Sequence, residues 1–189
     1  DGISIHLGNG NGTFQAAITM ASGGAGPIAS AFGDLNGDGH LDMLIANNGE
    51  ASASVALGNG NGTFQSPSLL ATGGNSRSVS INDLNGDGNQ DLVIADEGGN
   101  TNIFLGNGNG TFHSRVTVLG KPVGIQVQDF NEDGVLDIAT ADQNLSNLQL
   151  MLARLKIKSL GDLGRSRLFI VEDQSIFHKL AARQRSGAT

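Results

Sequence analysis

Three short acidic segments repeat one spacing of oxygen-bearing side chains. They read DLNGDGHLD from Asp34, DLNGDGNQD from Asp83 and DFNEDGVLD from Asp129. Acids or amides at the first, third and fifth positions, a backbone carbonyl at the seventh and an aspartate at the ninth make an oxygen-only donor set. Calcium takes six to eight oxygens at about 2.3–2.6 Å, and a loop can supply them by this alternation. The glycine at the sixth position lets the backbone bend around an ion. In the first loop the donors are Asp34, Asn36, Asp38, the carbonyl of His40, and Asp42. The second offers Asp83, Asn85, Asp87, the carbonyl of Asn89, and Asp91; the third offers Asp129, Asn131, Asp133, the carbonyl of Val135, and Asp137. The expectation is Ca2+ in a structural role, about three ions in all, one per loop. Three carboxylates in one loop repel unless a cation neutralises them. Asp, Asn and Gly are also ordinary turn formers, but three copies that keep every acid favour the cation. Magnesium fits less well, because it holds its water and rarely takes an all-protein cage.

These loops are not EF-hands. That motif needs a glutamate at the twelfth position and flanking helices. The twelfth position here is Ile45, Ile94 or Thr140, and the flanks read as strands.

Other chemistry is sparse. The run Gly-Asn-Gly-Asn-Gly lacks the spacing and the following Lys-Ser/Thr of a phosphate loop. Its repetition with a terminal Phe14, Phe64 or Phe112 reads as a strand turn anchored by a buried ring. His6, His40, His113 and His178 fall in no dense ligand pattern and are expected at the surface. No GxSxG elbow occurs, and no catalytic residue is assigned. Asn11, Asn61, Asn109 and Asn144 head N-x-S/T sequons, but three of them belong to the repeated turn, which accounts for them without glycosylation.

The elements that must position the acidic loops come from repeats. LGNGNGTF starts at Leu7, Leu57 and Leu105 and alternates with the acidic motif, so one unit spans about 48 residues. Within a unit, Ser78–Ile81, Asp91–Ala95, Asn102–Leu105 and Arg115–Leu119 each have strand length and Gly/Asn boundaries. Four short strands per unit of this length predict a β-propeller blade. The fold class is therefore all-β, a partial propeller of four-stranded antiparallel blades. The expected divisions are a partial blade over 1–27, blades over 28–76 and 77–122, a partial blade over 123–152, and a basic tail over 153–189.

Composition narrows the function. Glycine is 29 of 189 residues and proline only 3, which excludes a Pro-rich linker or a collagen-like chain. Cysteine is absent, so there is neither a disulfide framework nor a thiolate site. With no Trp or Tyr, a surface that stacks sugars or bases on aromatic rings is disfavoured. The net charge of −7 speaks against nucleic acid, and no apolar run nears the roughly 18 residues of a membrane helix.

Together the two motifs resemble the FG-GAP/VCBS repeat family, the blades of integrin α-chain-like propellers, over residues 1–152. The resemblance implies a calcium loop between the first and second strands of each blade. It also implies a closed ring of about seven blades in a complete protein, and adhesion or ligand binding outside the cell. Glu132 departs from the pattern, standing where the other loops have Gly37 and Gly86. Three-odd repeats are too few to close a ring, so self-association or further blades are expected. Any signal peptide is expected to be missing from this chain or already removed.

Residues 154–189 carry eight basic and three acidic side chains, against three basic and fifteen acidic before them. Leu168–Val171, the acidic pair Glu172-Asp173 and a helix-like stretch through Phe177 and Leu180 resemble the opening of a response-regulator receiver domain. A bland basic helical tail is an equal reading. The whole is read as a calcium-binding propeller module at the cell surface or beyond, not an enzyme, with a protein or carbohydrate ligand. The alternative is the accessory propeller of a secreted carbohydrate-active or other hydrolytic enzyme.

Overall fold

The computed structural model describes residues 1–119, 122–142, 152–153 and 170–171, and among them there is no helix. Strands β1 (Gly2–Ile5) and β2 (Ile18–Ala21) form an antiparallel pair. Strands β3 (Pro27–Gly33), β4 (Asp42–Asn47), β5 (Ser52–Ala56) and β6 (Ser68–Ala71) form a four-stranded antiparallel sheet in chain order. The next repeat builds the same sheet from β7 (Ser76–Asn82), β8 (Asp91–Asp96), β9 (Asn100–Phe104) and β10 (Val116–Leu119). Strands β11 (Pro122–Gln128) and β12 (Asp137–Asp142) start a third, and β13 (Leu152–Ala153) pairs with β14 (Ile170–Val171). This is the partial β-propeller that the repeat length predicts. The helix expected beyond Val171 and the rest of the tail lie outside the described residues.

Each sheet is a meander because its connections are short and glycine-rich, which favours antiparallel neighbours. The register of the first two strands slips at the same point in every repeat, between Pro27 and Ala29, Ser76 and Ser78, and Pro122 and Gly124. The repeat is thus faithful down to a bulge.

Neighbouring sheets bury one another. Strands β4 and β8 are buried along their whole length, which is why both read as short continuous apolar runs rather than alternating ones. Their successive side chains still point to opposite faces. Leu92 and Ile94 pack toward the preceding sheet with Leu35, Leu44 and Val55. Val93 and Ala95 pack the other way, with Ile125 and Ile138 of the third repeat. Met43, Ile45 and Ala56 pack with Ile3, Ile5 and Met20 of the first strand pair. Burying each such Leu or Ile contributes about 1.5–3 kcal/mol, so the interfaces between sheets are the hydrophobic core. Strand β7 lies beside both β3 and β11, so the first strands of successive sheets stand together. The loops that follow them, carrying the acids, therefore gather at one end of the blades.

Candidate metal centre

Each acidic segment connects the first and second strands of its sheet, and the three share one hydrogen-bonding scheme. In the first loop Asp34 Oδ1 accepts backbone N–H bonds from Asn36, Gly37 and Asp38 at 3.3, 2.8 and 3.2 Å, and Oδ2 accepts one from Gly39 at 2.9 Å. The Gly39 bond leads in holding the Asp34 carboxyl below its ordinary range. Asn36 Oδ1 accepts the Asp38 amide at 3.0 Å, Asn36 Nδ2 donates to Asp38 Oδ2 at 2.9 Å, and Asp38 Oδ1 accepts the His40 amide at 2.8 Å. The second loop repeats this through Asp83, Asn85, Asp87 and the Asn89 amide. In the third, Asp129 accepts from Asp133 and Gly134 at 3.1 and 2.8 Å, Asn131 Oδ1 accepts the Asp133 amide, and Asp133 Oδ1 accepts that of Val135.

Left-handed backbone makes the coil possible. Gly37 and Gly39 sit at φ 76° and 82°, Gly86 and Gly88 at 73° and 89°. In the third loop the corresponding pair is Glu132 at 61° and Gly134 at 82°. Among the described residues Glu132 is the only non-glycine at positive φ, a conformation that costs an L-residue about 1–2 kcal/mol. The departure seen in the sequence therefore leaves the loop conformation unchanged.

The ninth-position aspartates are placed differently from the other donors. Asp42 is fully buried; its Oδ2 accepts the Leu35 amide at 2.8 Å and its Oδ1 the Gly58 amide at 2.7 Å. Asp91 repeats both bonds, to Leu84 at 2.9 Å and Gly106 at 2.8 Å. Asp137 accepts from Phe130 at 3.1 Å, while its buried Oδ1 has no partner among the described residues. Asp42 and Asp91 thus pin the acidic loop to the turn that opens LGNGNGTF. Sequence reading assigned the glycines of that motif only to a turn and missed this role. A Cβ at Gly58 would fall on the Leu41 carbonyl, and one at Gly106 on that of Gln90, so glycine at this point of both copies of the motif is the available signal.

Burial pushes the Asp91 carboxyl up to about 6, opposed by the Gly106 and Leu84 amides and reinforced by Asp87 and Asp83. Asp137 is raised for the same leading reason, with Asp133 and Asp129 adding to the rise. In these two loops the acids thus feel one another's charge. Among the described residues no three His, Asp or Glu side chains converge closely enough to hold a metal by themselves. The donor chemistry nevertheless fits a hard cation. Asp34 Oδ2, Asn36 Oδ1 and both oxygens of Asp38 each accept a single bond, so each keeps a lone pair. An amide oxygen and a backbone carbonyl would complete what the carboxylates begin.

The LGNGNGTF turn also reaches its neighbours. The Gly110 amide donates to the Leu35 carbonyl of the preceding sheet at 2.9 Å. Phe112 and Phe64 are half-buried against cores shared with the preceding sheet, as an anchoring ring should be. Phe14, in the first copy, is 67% exposed, having no earlier sheet to enter among the described residues. His6 and His40 are exposed and His113 is half-buried; His178 lies outside the described residues.

A profile of FG-GAP-like repeats matches the chain at residues 1–45, 34–94 and 83–140. No curated protein sequence matches. Among solved structures the fold resembles an Agrocybe aegerita lectin whose title describes specific recognition of non-reducing terminal N-acetylglucosamine. The identity is 28%, the TM-score 0.50, and the match covers 73% of this chain and 40% of the lectin chain. The chain thus spans less than half the length of that relative.

Proposed function

The chain belongs to the FG-GAP-like repeat family, and on that premise we propose that it is a ligand-binding propeller module with structural calcium, acting at the cell surface or outside the cell and not as an enzyme. The observation that carries the calcium reading is the third loop. It holds Glu132 at φ 61° and so keeps, at a cost in backbone strain, the conformation that glycine gives the other two. In that conformation the side-chain oxygens of Asp129, Asn131 and Asp133 are gathered by the loop's own amides, the oxygen-rich set a hard cation takes.

Calcium in these loops would contribute folding free energy, because the unfolded chain has no preformed site. Each independent site adds about 2.7 kcal/mol when free calcium stands 100-fold above Kd. Calorimetric titration of chelator-stripped protein tests the proposal. The expected stoichiometry is about three, with calcium preferred over magnesium, and a higher melting temperature in calcium than in chelator. No heat of binding, or equal response to magnesium, overturns it.

For the ligand, the lectin likeness favours a carbohydrate. The absence of Trp and Tyr means that contact would rest on polar side chains and phenylalanine rather than on broad aromatic stacking. Titration with N-acetylglucosamine in calcium is the direct check. Binding that disappears in chelator supports a sugar site dependent on the loops, whereas no binding redirects the search to protein ligands.

A further inference from the structure

Nine Asn-Gly pairs punctuate the chain. Such a pair can react with itself: the glycine amide nitrogen attacks the asparagine Cγ and closes a cyclic imide. Two features of a fold control that step. The glycine N–H must be free of a hydrogen bond, since its nitrogen is the nucleophile and its proton must leave. Donors aimed at the asparagine Oδ1 assist, because negative charge develops there as the tetrahedral intermediate forms.

Three copies of one turn separate these features. Asn11, Asn61 and Asn109 are all exposed. Asn61 Oδ1 accepts the Thr63 amide at 3.0 Å and the Thr63 hydroxyl at 2.7 Å. Asn11 has the same two donors from Thr13 at 3.1 and 2.7 Å, and Asn109 from Thr111 at 3.1 and 2.6 Å. The glycine that follows differs. Gly12 and Gly62 make no backbone N–H bond among the described residues, whereas the Gly110 N–H is given to Leu35 across the sheet interface.

The remaining pairs lack one condition or the other. In the acidic loops the Gly37 and Gly86 amides are held by Asp34 and Asp83, each at 2.8 Å, and after Asn48 the Gly49 amide is held by the Ala25 carbonyl at 2.9 Å. Asn9, Asn59 and Asn107 are bonded through Nδ2 to the turn threonine, at 2.8, 2.9 and 2.9 Å, and have no donor on Oδ1 among the described residues.

We propose that Asn11 and Asn61 are sites of spontaneous covalent modification, deamidating through a succinimide, and that Asn109 in the same octapeptide is protected because the Gly110 N–H is bonded to the Leu35 carbonyl of the preceding sheet. The Gly62 nitrogen bonds to the Asn61 Cγ and its proton passes to water. The Cγ–Nδ2 bond then breaks and ammonia leaves. Water opens the imide at either carbonyl, yielding aspartate or isoaspartate. Both products place a new negative charge at the end of the blade that carries the acidic loops. Isoaspartate also reroutes the main chain through the former side chain and separates Thr63 from its partner, which loosens the turn bearing Phe64.

Peptide mapping by mass spectrometry after incubation of the folded chain in mildly alkaline buffer decides the matter. Asn61 and Asn109 lie in identical octapeptides, so local sequence is controlled internally. Asn11 and Asn61 should convert at least about tenfold faster than Asn109, the scale of one hydrogen bond that must be broken before the Gly110 nitrogen can attack. In denaturing urea the three rates should converge. Thr63→Val should slow Asn61 while Asn11 in the same molecule keeps its rate. Asn109 keeping pace with Asn61 in the folded chain overturns the proposal, as does a difference between them that survives in urea.

Discussion

The Gly106 amide donates to Asp91 Oδ1 at 2.8 Å, and this one bond joins the two motifs of the repeat. Asp91 closes the acidic loop and Gly106 opens the LGNGNGTF turn, so the motifs recur together because they are parts of one structure. The Asp42 bond to Gly58 is its counterpart in the preceding sheet.

Removing the pin should destabilise the fold apart from any effect on cation binding. Asp42→Ala strands two buried amides, each costing about 1–3 kcal/mol, so a loss of roughly 3 kcal/mol is expected in chelator. Asp137→Ala, which breaks one bond from Phe130, should cost less. Urea melts of both variants give the comparison, and equal losses would show that the second bond contributes nothing.

Stability in the absence of cations should fall as pH rises through the range of Asp91. Its folded pKa of about 6 lies well above the ordinary aspartate range, so the folded state holds the proton more tightly than the unfolded one. That contribution is complete below about pH 4 and is lost as pH passes about 6; a shift of about two units corresponds to roughly 3 kcal/mol. Asp34 acts in the opposite sense. Its lowered pKa gives stability present above the unfolded value and lost as acid protonates the folded carboxylate. Melting temperatures in chelator between pH 4.5 and 7 should therefore decline, and calcium should flatten the decline by compensating the ionised carboxylates. A flat profile in chelator would contradict the burial assigned to Asp91.

Equivalent phenylalanines should differ in worth. Phe112 joins the core between the two four-stranded sheets, and Phe112→Ala should cost about 2–3 kcal/mol, toward the low end for a ring that is half-buried. Phe14, at 67% exposure, should tolerate alanine within about 0.5 kcal/mol. Chemical denaturation of the two variants measures both.

Glu132→Gly should stabilise the chain. It relieves a φ of 61°, and after the added freedom of the unfolded glycine a gain of about 0.5–1 kcal/mol remains. A loss of stability would mean that the Glu132 side chain contributes more than its backbone costs.

Much of this protein was legible in its sequence because a repeat states its pattern several times. The period of two interleaved motifs gave the number and order of strands in each sheet. Asp-x-Asn-x-Asp-Gly placed the bend of each loop, since hydrogen bonds between residues two to five apart, such as those that Asp34 accepts from the amides of Asn36 through Gly39, are made within the segment itself. Local interactions of that kind need no knowledge of the rest of the chain.

What tertiary structure alone decided is everything that depends on a partner distant in sequence. The acid at the ninth position looks like the others in the motif, yet Asp42 is buried and bonded to Gly58, sixteen residues away. Three identical turns give a half-buried Phe64 and Phe112 and an exposed Phe14, and give Gly110 a bond that Gly12 and Gly62 lack among the described residues. Identical octapeptides cannot encode those differences. They arise because each turn meets whatever sheet stands before it, and burial and hydrogen-bond satisfaction belong to the pair of surfaces rather than to either one.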